Sequence, residues 1–264
     1  MIRDGVYLSS GSLQSANGLL YAQATADPDA PDNSFQRLGL AASDDSEGGM
    51  VVYATVNKDE VPNYREGKSP YGFAIVRAQQ LFGLAGSDTV SDPTGVTFAS
   101  DQGIYVQGDF NNVNIQPASV LADSFYPLSN ACITVNIAIN HRTGRDCDRE
   151  ADAKTKISAT DTDFYGGVLA GTDLTEGSQY NGGLENYPRF LENWSGITWL
   201  YRGSFVSIGQ PVEVSGVWRT GPVYKPPIRD WNYDTDFNDS LNLPPLTPQF
   251  VVLQQESFIR SFEQ

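Results

Sequence analysis

Histidine is almost absent from this chain, and cysteine nearly so. The 264 residues contain one His and two Cys, which excludes histidine-rich metal cages, zinc sites of four cysteines, and zinc sites of two cysteines with two histidines. Basic residues are scarce as well: 17 Lys and Arg stand against 32 Asp and Glu, for a net charge of -15. A chain this acidic repels nucleic-acid backbones and anionic lipid heads, so neither is an expected partner. Long apolar runs are also missing. The most apolar stretch, residues 71–86, is broken by Arg77, Gln79 and Gln80 and falls short of the roughly 18 to 20 residues that cross a bilayer as a helix. The opening MIRDGVYLSS carries Arg3 and Asp4 with no apolar run behind them. No signal peptide is read there, and no membrane insertion by this chain is expected. Against the extracellular flavour of the rest, that start fits a late segment of a longer protein.

What the chain has in quantity is turn chemistry and aromatic area: 25 Gly, 15 Pro and 11% aromatic residues, with only 19% charged. That composition suits many short strands and disfavours a helical bundle. The length allows one large domain or two small ones, with ample core. Brief apolar or aromatic pieces recur at 50–56, 71–78, 96–99, 104–107, 119–125, 133–139, 165–170, 197–201 and 204–208, most with Gly, Asp, Asn or Pro close behind. Each has strand length. Two architectures accommodate such pieces: an antiparallel sandwich or barrel, and a parallel solenoid. Asn-Gly hairpin signals occur only at 17–18 and 181–182, and neither stands between two clear strands. Their scarcity favours a mainly β fold of right-handed parallel β-helix type, with a β-sandwich as the alternative. Residues 1–70 read as a loop-rich N-terminal part with short strands, carrying acidic turn clusters at 27–34 and 43–49. Residues 71–221 read as the solenoid body. Residues 222–264 are dense in Pro, Asp and aromatics and cannot pair as a central strand, because proline lacks the donor. They are expected to wrap the outside as a cap or lid.

Few constellations carry chemistry. Cys132 and Cys147 enclose a polar excursion and are a disulfide candidate, the alternative being two unrelated thiols. His141 sits beside Arg142 and Arg145 and reads as a solvated loop residue, with no nucleophile elbow to pair with. Asp234, Asp236 and Asn238 alternate as the first ligands of a calcium loop do. The pattern then fails, since the place of the closing bidentate Glu is Pro245. Asx turns are the competing reading. The carboxylates Glu185, Glu192, Asp230 and Asp234 stand near Tyr187, Trp194, Trp199 and Trp231 in sequence. Paired carboxylates in an aromatic cleft would suit a glycoside hydrolase, and rings alone would suit sugar stacking. The competing reading of the same aromatics is core.

The strings YNGGLENYPRFLENWSG at 180–196 and YRGSFVS at 201–207, with IYVQGDFN at 104–111, PPIRDWNYDTDFN at 226–238 and NLPP at 242–245, together resemble the C-terminal region of the cyanobacterial hormogonium polysaccharide biosynthesis protein A (HpsA) family. The resemblance runs from about residue 27 to the end. It implies an exported or cell-surface protein acting in polysaccharide secretion and gliding motility alongside type IV pilus machinery. It transfers no catalytic residues, and this chain lacks the pilin-like hydrophobic segment of longer members. The expectation is a non-enzymatic surface module without cofactor, with a polysaccharide and pilus or secretion components as partners. Tyr187, Trp194, Trp199 and Trp231 are the candidates for sugar contact, and Arg189, Glu192 and Arg202 for ties between coils. A polysaccharide lyase or glycoside hydrolase on a β-helix, and a pilus-associated assembly or adhesion module, are the alternatives.

Overall fold

A computed structural model of the chain describes residues 13–16, 19–22, 49–56, 72–81, 95–132, 158–172, 187–207, 209–213 and 225–247. The protein is mainly β with parallel sheets, and no α-helix occurs among the described residues. None of their helical turns is long and apolar enough to cross a membrane. The expected strand at 133–139, and with it His141, Cys147 and Glu185, lies outside the described residues.

Strands β1 (Leu13–Ala16) and β2 (Leu19–Ala22) pair antiparallel with Ala16 opposite Leu19. Asn17 and Gly18 thus fall between two paired strands, contrary to the expectation that they stand between no clear strands, and themselves lie outside the described residues. Four residues are too few to display an alternating pattern, and the turn dipeptide was the stronger signal.

The other pairings among the described residues are parallel. One sheet has the order β3 (Met50–Ala54), β5 (Val96–Ser100), β7 (Ala118–Ala122), β10 (Gly167–Ala170), β12 (Phe205–Ser207). The other has the order β4 (Gly72–Ala78), β6 (Gly103–Phe110), β9 (Thr162–Tyr165), β11 (Thr198–Gly203), β13 (Ile228–Tyr233), with β8 (Ser124–Leu128) also beside β6. Spatial order follows chain order in both. From β3 on, the chain alternates between the sheets except at β8 and β9, which both join the second, and it lays each new strand beside an earlier one. Besides β4, strand β6 serves two further neighbours: Gly103 to Gln107 pair with β8, and Phe110 pairs with Phe164 of β9. Between the two halves Gly108 has φ 79°, a left-handed conformation that glycine enters without the Cβ penalty, so the strand bends where it changes partner.

Two pieces expected as single strands are each divided. Asp123 separates β7 from β8, and its carboxylate accepts from the backbone amides of Val212 at 2.6 Å and Glu213 at 3.1 Å. Gly166 separates β9 from β10. A Cβ there would fall 2.8 Å from the Ala118 carbonyl oxygen, so the corner admits only glycine without a backbone shift.

The core lies between the sheets and is sorted by register. On the first sheet Val52, Phe98, Val120, Val168 and Phe205 are successive partners. On the second, Phe110, Phe164, Tyr201 and Trp231 are successive partners. Period-two alternation places these residues on the inner faces, and all belong to or pack against one hydrophobic cluster. A smaller cluster of Tyr126, Leu128, Cys132 and Leu191, with Tyr105 packed on it, lies apart from the main core, and Tyr105 stacks on Tyr126 at 4.4 Å.

Two boundaries differ from expectation. Strand β3, assigned to the N-terminal part, is the end strand of the five-stranded sheet, and β13, inside the proline-rich wrap, is the end strand of the other. Proline bars a central position and leaves an end position open. After β13 the chain turns back through 3-10 turns at Thr235–Asn238 and Ser240–Asn242 and reaches β5, where Thr97 donates to the Pro245 carbonyl at 2.6 Å.

Candidate functional site

The string from 187 to 194 continues the sheet region next to β8. Pro188 bridges to Phe125, the Arg189 amide donates to the Phe125 carbonyl at 2.9 Å, and Asn193 bridges to Ser158. With its backbone so placed, Tyr187, Phe190 and Trp194 enter the main core and Leu191 the smaller cluster. Phe190 meets Trp194 and Trp199 edge-on, each at 5.3 Å.

This placement corrects the sugar-contact expectation for three residues. Tyr187, Trp194 and Trp199 are 1%, 0% and 0% exposed, and a ring with no solvent face cannot stack on a pyranose. Tyr187 also donates its hydroxyl to the Val206 carbonyl at 2.6 Å, with the Val168 carbonyl at 3.1 Å. Burial raises its pKa far out of the physiological range, against the opposing effect of the Ala170 and Val206 backbone. Trp231 is different: it is half-buried at the end strand, packed against the core on one side, with the Arg229 guanidinium 5.3 Å from the ring centroid. Tyr233, two residues on along β13, is 53% exposed and meets Phe237 edge-on at 6.4 Å. Arg229, Trp231 and Tyr233 share one strand face by alternation. Arg229 and Tyr233 were not singled out from sequence; the alternation with Trp231 was the available signal.

The three residues expected to tie coils make the following contacts. Glu192 is buried and accepts at 2.6 Å from both the amide and the hydroxyl of Ser129. Ser129 in turn accepts through its hydroxyl from the Ala131 amide at 3.2 Å. Burial pushes the Glu192 carboxyl up to about 7, with the Ser129 bonds opposing the rise. Arg189 reaches the Tyr126 hydroxyl at 3.4 Å and lies 5.8 Å from that ring's centroid. Arg202 donates to the Asp230 carbonyl at 2.8 Å and pairs with its carboxylate at 3.1 Å, across neighbouring strands.

The calcium candidates have structural partners. Asp234 caps a 3-10 turn by accepting from the Asp236 amide at 3.0 Å, and Asn238 accepts from the Tyr233 hydroxyl at 3.3 Å. Asp239 caps the next turn in the same way through the Leu241 amide. Among the described residues no three His, Cys, Asp or Glu side chains converge as metal ligands do. Cys132 is disulfide-bonded, and Cys147, the other cysteine of the sequence, lies outside the described residues. The Asn130 and Ala131 amides donate to the Thr162 and Thr160 hydroxyls, each at 3.1 Å.

Comparison with protein-family models, with curated proteins and with solved structures gives no match.

Proposed function

We propose that this chain is a non-catalytic surface module built as a right-handed parallel β-helix, acting in the secretion or retention of polysaccharide and in gliding, in company with pilus or secretion components. One observation carries the architectural part: apart from β8 and β9, which both join the second sheet, consecutive strands from β3 to β13 go alternately to two sheets whose pairings are parallel and whose main strand order is chain order. A chain that winds in one sense deposits strands in that way, and parallel crossovers are right-handed in nearly all proteins. The polysaccharide context rests on the resemblance carried by the strings at 180–196, 201–207 and 226–238. A structural role for the acidic groups is supported by their partners, since Glu192 is bonded to Ser129, Asp230 to Arg202, and Asp234 to a turn amide.

With Tyr187, Trp194 and Trp199 in the core, the sugar-contact role moves to the end strand, whose inner-side residues Arg229, Trp231 and Tyr233 stay partly or largely exposed because no further described strand pairs beyond them. Their mixture of ring and guanidinium suits stacking and hydrogen bonding to a polyhydroxylated chain. Tyr233→Ala removes an exposed ring with little effect on the core. It is expected to weaken retention of native sheath polysaccharide in a co-sedimentation assay by about tenfold or less, the scale of one modest contact. Affinity equal to that of the wild type, with the fold preserved by circular dichroism, would remove the sugar-contact proposal.

A further inference from the structure

Strand alternation puts Thr97, Ser119 and Gly167, which are register partners on β5, β7 and β10, on the outer face of the five-stranded sheet, opposite to the core residues Val96, Val120 and Val168. An outer face is ordinarily wet, yet Thr97 is 0% and Ser119 8% exposed. The segment that follows β13 lies over them. Its Phe237 ring comes to 3.9 Å from the position a Cβ would take on Gly167. Eight residues later Pro245 is seated against the chain entering β3 and β5. A Cβ on Gly49 would lie 2.8 Å from its Cγ, and one on Gly95 3.1 Å from its Cδ.

The hydroxyls show how the seat is built. Thr97 Oγ1 is 2.6 Å from the Pro245 carbonyl oxygen and 2.8 Å from Ser119 Oγ. Its one proton goes to the carbonyl, because a carbonyl can only accept, so Ser119 must donate to Thr97. The relay therefore has one direction, Ser119 to Thr97 to Pro245, and links β7, β5 and the covering segment. The segment is also internally fixed. Asp234 and Asp239 cap its two 3-10 turns, and Thr247 donates to the Pro244 carbonyl at 2.6 Å.

We propose that residues 234–247 are a clasp: by joining an anchor at β10 to an anchor at β3 and β5, they make the sheet open as one unit. Stacked parallel strands otherwise contact only their neighbours and fray from an end. The two anchors are separated by two intervening strand pairings, β10 with β7 and β7 with β5, so the clasp spans contacts that the ladder makes one at a time. The residues beneath it have small side chains or none, which is what a close-lying covering segment requires.

The test severs the clasp without disturbing either anchor. A specific protease site is placed at the outermost turn, around Leu241, which is 86% exposed, and the folded protein is cut there. Amide hydrogen exchange is then read strand by strand by mass spectrometry. The expected result is that β3 and β5 exchange about tenfold faster after cutting, while β9, β10 and β11 are unchanged. Thr97→Val, which removes the relay and keeps the shape, should give the same pattern in the uncut chain. Unchanged exchange in β3 and β5 after cutting overturns the proposal. So does an equal acceleration of every strand, which would make the segment a general stabiliser and no clasp.

Discussion

Glu192 and Asp230 are both carboxylates with a hydrogen-bonding partner, and burial makes them physically different groups. Asp230 pairs with Arg202 at a site where their side chains remain 46% and 27% exposed, and water screens such a pair to below about 1 kcal/mol. Glu192 is 1% exposed, and its hydrogen-bond partner is the neutral Ser129. Its carboxyl rises from 4.5 to about 7 because burial penalises the charged form. The folded state therefore holds this proton more tightly than the unfolded chain. The stability it contributes is fully present below the unfolded value and is lost as pH rises through about 7. Glu192→Gln keeps an acceptor for the Ser129 amide and a donor for its hydroxyl while removing the titration. Urea midpoints of the two proteins are expected to diverge in favour of Gln between pH 4.5 and 7.5, by on the order of 3 kcal/mol. Parallel midpoints across that range would mean that Glu192 titrates normally in the fold.

At the level of strands, the inner positions of β6, β9, β11 and β13 hold Phe110, Phe164, Tyr201 and Trp231 in register. Phe164 stacks on Phe110 at 4.6 Å and on Tyr201 at 5.7 Å, and meets Phe125 and Trp199 at 5.4 and 6.0 Å. Phe164→Ala would leave a void that four rings in fixed backbone positions cannot fill, with an expected cost of about 3 to 5 kcal/mol in equilibrium unfolding. A loss below about 1.5 kcal/mol would indicate that the ladder collapses onto the gap. The existence of β6 and β11 was legible, because short apolar pieces bounded by Gly, Asn and Asp stand out in composition alone, whereas β13 was masked by the proline- and aspartate-rich composition around it and β9 by the polar residues before Tyr165. Which side of each strand faces inward was not legible. A period of two distinguishes two faces without naming the buried one, and only the parallel register aligns Trp199 and Tyr201 with the core. The same limit hid Ser129 as the partner of Glu192, since 63 residues separate them. Asp123 and Gly166 divide two expected strands because a corner needs an amide acceptor or a bare Cα, and a single Asp or Gly inside an apolar run does not by itself mark a corner.

For the molecule as a whole, the net charge of -15 sets a self-repulsion that the compact state bears more heavily than the expanded one. Part of that charge sits outside the sheet, on the exposed Asp236 and Asp239 of the covering segment. Raising ionic strength from about 0.01 to 0.15 M shortens the screening length from roughly 30 to 8 Å, which spans the separations over which these charges act. Sodium chloride over that range is expected to raise the thermal midpoint, and a falling midpoint would show that attractive pairs such as Arg202 with Asp230 dominate the balance. That residues 222–264 supply no central strand was legible from their prolines, and β13 accordingly takes an end position. The path of the covering segment to the first strands was not legible, because nothing in local sequence marks Gly49, Gly95 and Thr97 as its seat.

The aromatic ladder has an optical consequence. Tyr201 and Phe205 lie parallel with centroids 4.0 Å apart, and Trp199 lies 5.2 Å from Tyr201. Chromophores held this closely at fixed angles couple their transition dipoles, so the near-ultraviolet dichroism of the protein is a signal of side-chain packing in the interior. The chain thus carries an intrinsic reporter for the order of its own centre, readable without a label.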